Sequence, residues 1–125
     1  MQTNHRHIVL VDDDPINNLI CRKKLHKART DLTIVEYVVA RKGLEYFQQN
    51  PTTDLLLLDI NMPDLDAWTF LDEMEKIGVR VPVIIITSSI DQDDLEKAKN
   101  YDVIIDYVIK PMTEDKINKI VSHIK

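Results

Sequence analysis

Six polar residues stand where apolar runs stop: Asp12 and Asp13 after IVLV, Asp59 after LLLL, Thr87 and Ser88 after VIII, and Lys110 after YVI. Singly, each has an ordinary reading. An aspartate at a strand end is commonly a turn residue or helix cap, and that is the reading of Asp14, Asp31 and Asp91. A lone lysine is usually a solvated one. Together the residues read differently. Three carboxylates in one crevice raise each other's pKa unless a positive charge compensates. One divalent cation and the Lys110 ammonium would neutralise Asp12, Asp13 and Asp59. Oxygen-only ligands with room for water suit Mg²⁺. A carboxylate held beside a Lewis acid and an ammonium is equipment for phosphoryl transfer, where positioning and charge neutralisation do most of the work. Attack by a carboxylate would give an acyl phosphate, with Thr87 offering a hydroxyl donor to a phosphoryl oxygen.

These residues meet only if the chain folds to bring the run ends together. Short β-branched or leucine-rich runs at Ile8–Val11, Thr33–Val39, Leu55–Leu58, Val83–Ile86 and Val103–Ile109 alternate with helical patterns. Continuously apolar runs indicate strands buried on both faces, as in a parallel sheet covered by helices. Thr33–Val39 carries Glu36 and Tyr37, which places it near a sheet edge. Asp14-Pro15 is a helix start, followed by Ile16, Leu19 and Ile20 on one face. Ala40, Gly43, Leu44 and Phe47 predict a second helix, stopped by Asn50-Pro51. Ala67, Phe70, Leu71 and Met74 predict a third. The segment after Asp91 has a thin apolar face, Leu95 and Ala98, and should pack weakly. Thr113 caps a last helix with Ile117, Ile120, Val121 and Ile124 inward. Five β-α units with right-handed crossovers make an α/β fold. The expected architecture is a flavodoxin-like, doubly wound five-stranded parallel sheet in the order 2-1-3-4-5, with helices on both faces. In such sheets ligands bind beyond the carboxyl ends of the strands, where the six polar residues stand.

Composition narrows the function classes. The chain has 125 residues, 44% hydrophobic and 30% charged, a globular balance for one domain. A net charge of −5 with no Lys/Arg-rich run argues against direct nucleic-acid binding. The single Cys21 excludes an internal disulfide and fits a reducing compartment; it reads as a small buried hydrophobe. No stretch reaches the roughly 20 apolar residues of a membrane span, and no signal peptide is recognisable, so a cytoplasmic location is expected.

The motifs IVLVDDDP, LLLLDINMPDLD, VIIITSS and YVIKP together resemble the response-regulator receiver domain of two-component signalling, over about residues 6–125. The resemblance implies Asp59 as phosphoacceptor, with a histidine kinase or histidine phosphotransfer protein as donor. It implies Mg²⁺ on Asp13, on Asp12 through water, on Asp59 and on the backbone carbonyl of Asn61. Lys110 would contact the phosphoryl group. Thr87 and Tyr107 would be the switch pair, with a half-buried strand-end tyrosine of no switching role as the alternative for Tyr107. Pro111 matches a proline whose preceding bond is usually cis. Ser88 follows Thr87 at the end of its run, while Asn61 and Ser89, each two residues past a site residue, lie near the approach of an attacking water and would set the lifetime of the phosphoryl group. Phosphorylation would alter the face formed by helix 4, strand 5 and helix 5, read by a downstream protein that the sequence does not name. With residues 1–125 all assigned to the receiver, a stand-alone domain without an output domain is expected.

Two departures concern loops. Asp66-Ala67 stands where Asp-Gly is common, and Asp106 where glycine often precedes the switch aromatic. Three rivals remain. An aspartate-based phosphatase usually carries a second acid two residues on, where this chain has Asn61. A nucleotide or flavin binder would need a phosphate-cradling glycine loop, and none is present. A silent interaction module is countered by the complete set Asp13, Asp59, Thr87 and Lys110. The four histidines show no metal spacing, and Trp68 reads as a packing residue.

Overall fold

The computed structural model describes residues 5–88 and 90–125. The expectation for Ser89 lies outside them. The elements alternate: β1 (Arg6–Val11), α1 (Pro15–Ala28), β2 (Leu32–Tyr37), α2 (Ala40–Gln49), β3 (Leu55–Asp59), α3 (Ala67–Lys76), β4 (Val83–Thr87), α4 (Gln92–Ala98), β5 (Ile104–Ile109) and α5 (Glu114–Ser122). The strands form one sheet in the order β2-β1-β3-β4-β5, and every neighbouring pair is parallel. This is the expected fold.

Alternation along the strands explains the unbroken apolar runs. Successive side chains point to opposite faces. Val9, Val11, Leu56, Leu58, Val83 and Ile85 pack with Ala40, Phe47, Phe70, Leu71 and Met74 on the α2–α3 side. Ile8, Leu10, Leu55, Leu57, Ile84 and Ile86 pack with Cys21, Leu25, Ile117 and Ile120 on the α1–α5 side. Each fully buried large side chain is worth about 1.5–3 kcal/mol. Gly43 lets α2 lie close on β1: a Cβ there would sit 2.8 Å from a Val11 methyl.

Caps fall at Asp14, Asp91 and Thr113, where the sequence predicts them, and at Asp66, where it does not. Asp14 accepts from the Ile16 and Asn17 amides, Asp66 from Thr69, Asp91 from Asp94, and Thr113 from Lys116. Asp31 takes the other reading, a turn residue just before β2, where it pairs with the Arg29 guanidinium. The Asp66-Ala67 departure is explained by Asp66 being the extended N-cap of α3 (φ −74°, ψ 167°). No left-handed residue is required there; among the described residues the only positive φ is at Gly78, just past α3.

Three expectations need correcting. β2 stops at Tyr37, two residues early, because the Val39 carbonyl already accepts the Lys42 and Gly43 amides and begins α2. In α1 the stripe Ile16, Leu19 and Ile20 faces outward, with Ile16 69% exposed. The inward face is Asn18, Cys21 and Leu25. The rotation brings Asn18 inward, where its side-chain amide donates to the Asp12 carbonyl at 2.9 Å and satisfies a buried acceptor, while its own Oδ1 is buried without a hydrogen-bond partner. Finally, α5 ends at Ser122, so Ile124 packs from beyond the helix. The weak packing of α4 is as expected: it buries no residue fully.

Candidate functional site

Pairing in register brings the strand ends level. Val11 pairs with Leu58, Asp59 with Ile86, and Thr87 with Ile109. The residues that follow β1 and β5, and those that end β3 and β4, therefore converge on one edge of the sheet. Carboxylate oxygens of Asp12, Asp13 and Asp59 lie within 4.8 Å of one another. Asp12 is fully buried and Asp59 is 6% exposed, while Asp13 is exposed. An all-oxygen donor set that includes an exposed carboxylate suits a hard, partly hydrated divalent cation.

Lys110 is the cation of the cluster. Its Nζ lies 2.7 Å from Asp12 Oδ2 and 3.9 Å from Asp59 Oδ2. The peptide bond to Pro111 is cis, and the Lys110 amide donates to the Thr87 carbonyl at 2.7 Å. Burial pushes the Asp59 carboxyl up to about 6, and the charge of Asp12 pushes the same way; Lys110 and the Asn61 amide pull it down. Burial works against the Lys110 ammonium, but the bond to Asp12 and the charges of Asp12, Asp59 and Asp14 outweigh it and raise its pKa.

The other expected residues take definite places. Thr87 is fully buried at the end of β4. Asn61 is exposed in the loop after β3, its amide 3.4 Å from Asp59 Oδ1. Ser88 is exposed just past β4. Tyr107, paired with Ile85 and 41% exposed, lies two residues back along β5 from Ile109, the partner of Thr87. Asp106, the second departure, bonds the Tyr107 amide at 2.8 Å, His123 at 2.8 Å and Lys119 at 3.2 Å, fastening β5 to α5. Burial opposes its ionisation, but the His123, Tyr107 and Lys119 bonds hold its pKa below the ordinary value. Trp68 stacks on Tyr101, with ring centroids 5.6 Å apart.

Three residues escaped sequence reasoning. The Asn17 side-chain amide donates to Asp12 Oδ2 at 2.9 Å, and Asn18 grips the same residue's carbonyl. Asp64, in the loop after β3, accepts the Ala40 and Arg41 amides at 3.2 and 3.1 Å. It caps α2 from a distance, where the N-cap Val39 offers no acceptor. The spacing of Asn18 with Cys21 and Leu25, one helical face, was a signal for the α1 rotation.

Residues 8–122 match the family described as response regulator receiver domain. The chain belongs to that family. It is 31% identical over 118 residues to the transcription factor SKN7 of Candida albicans, covering 93% of this chain but 20% of that protein. It is 29% identical over 119 residues to the two-component response regulator ORR26 of Oryza sativa subsp. japonica, covering 94% of this chain and 20% of that one. The receiver thus spans about a fifth of the length of these relatives. Among solved structures, a two component response regulator from Cytophaga hutchinsonii superposes with a TM-score of 0.81 at 22% identity, covering 95% of this chain and 96% of that one. The phosphorylated cyanobacterial phytochrome response regulator RcpA gives 0.78 at 25% identity, over 94% and 89%. The receiver is therefore a phosphoacceptor signalling domain of the two-component type. Among its described residues no helix is long and apolar enough to cross a membrane.

Proposed function

We propose that the receiver takes a phosphoryl group onto Asp59 from a phosphohistidine of a histidine kinase or histidine phosphotransfer protein, in the cytoplasm, and relays the change to a downstream protein. The observation that carries this reading is the convergence of three carboxylates within 4.8 Å, with Lys110 Nζ 2.7 Å from Asp12 and 3.9 Å from Asp59. Asp12, Asp13, Asp59 and the Asn61 carbonyl would hold Mg²⁺. Bound there, the ion supplies neutralisation of the charge on the phosphoryl oxygens. An Asp59 oxygen attacks phosphorus, the P–N bond breaks, and its electron pair stays on the departing imidazole nitrogen. Lys110 and Thr87 donate to the phosphoryl oxygens, and Asn61, exposed in the loop after β3, borders the path of a hydrolytic water.

Phosphorylation replaces one carboxylate charge by about two and adds acceptor oxygens. Thr87 moves toward the new acceptor, and Tyr107, now 41% exposed, turns into the space it leaves. The α4–β5–α5 face then changes for its partner; α4, with no fully buried residue, is the element that shifts most easily. The test is label uptake from acetyl phosphate with Mg²⁺. Uptake by the wild-type chain and none by Asp59→Asn is expected; equal labelling of both would sink the reading.

A further inference from the structure

We infer that Asn17 is a positioning residue for phosphoryl transfer: its side-chain amide holds the Asp12 carboxylate while Lys110 leaves that carboxylate for the incoming phosphoryl group. This rests on the phosphoacceptor reading above.

Asn17 and Lys110 share one oxygen of Asp12. Asp12 is fully buried, so its carboxylate cannot fall back on bulk water. Three donors reach it. The Asp14 amide bonds Oδ1 at 3.0 Å, and both Asn17 Nδ2, at 2.9 Å, and Lys110 Nζ, at 2.7 Å, bond Oδ2. A carboxylate has about four lone-pair sites, and these donors take three of them. Lys110 rests 3.9 Å from Asp59. To bond a phosphoryl oxygen carried there it must move away from Asp12, which its flexible four-carbon stem allows.

Withdrawing one partner from a buried ion pair is ordinarily costly, because the other charge is stranded. Here Oδ2 keeps the Asn17 amide and Oδ1 keeps the Asp14 amide. The neutrality of the amide matters. A second cation at position 17 would cancel the Asp12 charge permanently and release Lys110 from the site. An acid there would repel Asp12. An amide holds the oxygen without altering the charge count. Asn17 is itself fixed: its backbone amide bonds the Asp14 cap at 3.2 Å, and neighbouring Asn18 bonds the Asp12 carbonyl at 2.9 Å. The first turn of α1 therefore grips Asp12 by backbone and by carboxylate.

The experiment compares the wild-type chain with Asn17→Ala and Asn17→Asp. Maximal rate and half-saturating concentration are read for acetyl phosphate at saturating Mg²⁺. Mg²⁺ affinity by calorimetry and the unfolding midpoint are measured on the same samples. The expected result is a maximal rate about tenfold lower in both variants, with the half-saturating concentration and, for Asn17→Ala, the Mg²⁺ affinity within about twofold of wild type. The unfolding midpoint of Asn17→Ala falls by the loss of one charge-assisted hydrogen bond, but the variant stays fully folded at the assay temperature. A labelled wild type with an equally fast Asn17→Ala overturns the role of Asn17 alone. So does a loss that the Mg²⁺ affinity or the unfolding midpoint fully accounts for. A wild type that takes no label overturns the phosphoacceptor reading, and this one with it.

Discussion

Lys110 Nζ is 2.7 Å from Asp12 and 3.9 Å from Asp59, so one ammonium bonds the first acid and remains within electrostatic reach of the second. Replacing it with a neutral side chain of similar length leaves two buried carboxylates without their cation. Lys110→Met should therefore cost the metal-free protein about 3 kcal/mol near neutral pH. Urea unfolding in the presence of a chelator measures this, and an unchanged midpoint would contradict the pairing.

The raised pKa of Asp59 has a definite sign in stability. Its carboxyl titrates at about 6 in the fold, against roughly 3.9 in an unfolded chain. The folded state therefore binds the proton more tightly. Below the unfolded value there is no penalty; the penalty grows as pH rises between the two values and is full above the folded one. Without metal, Asp59→Asn should gain about 1–3 kcal/mol near pH 7 and nothing below about pH 4. A gain of equal size at both ends of that range would show that burial of the charge is not its source.

Asp64 ties the loop after β3 to the N-terminus of α2 through the Ala40 and Arg41 amides. Asp64→Ala should cost about 1 kcal/mol, the usual worth of an N-cap. Amide exchange at those two positions should speed up, while Asp64→Asn retains an acceptor and falls between. Exchange at Ala40 and Arg41 that is indifferent to both substitutions would contradict the cap.

The outward stripe of α1 predicts a contrast between two residues of one helix. Ile16, 69% exposed, should change stability by no more than about 0.5 kcal/mol when replaced by alanine. Leu25, fully buried against the α1–α5 core, should cost about 2–5 kcal/mol. Chemical denaturation of the two variants decides; comparable losses would mean that the helix is rotated from the position described.

The strands and the acidic cluster were legible because one physical fact encodes both. A strand buried on two faces must be apolar until it ends, so IVLV, LLLL and VIII mark their own carboxyl ends, and the polar residue that follows each is the site. The orientation of α1 was not legible from hydrophobicity, because its inward face carries an asparagine: Asn18 faces inward and bonds the Asp12 carbonyl, and Ile16 turns to solvent. Asn17 and Asp64 were hidden for a related reason. Each acts on a residue brought near by a turn or by the tertiary fold, and neither spacing nor composition records a side-chain amide on a carboxylate or a cap lent from another loop. Asp66-Ala67 shows the reverse case, where a departure from the family pattern changed little because the fold asks only for an extended N-cap there.

The central claim is that Asp59, and no other carboxylate of the cluster, carries the phosphoryl group. It is tested most directly by borohydride reduction of the acyl phosphate formed with acetyl phosphate and Mg²⁺, followed by peptide mapping. Reduction at position 59 alone is the predicted result. Reduction at Asp12 or Asp13, or none in a chain that has taken up label, would contradict it.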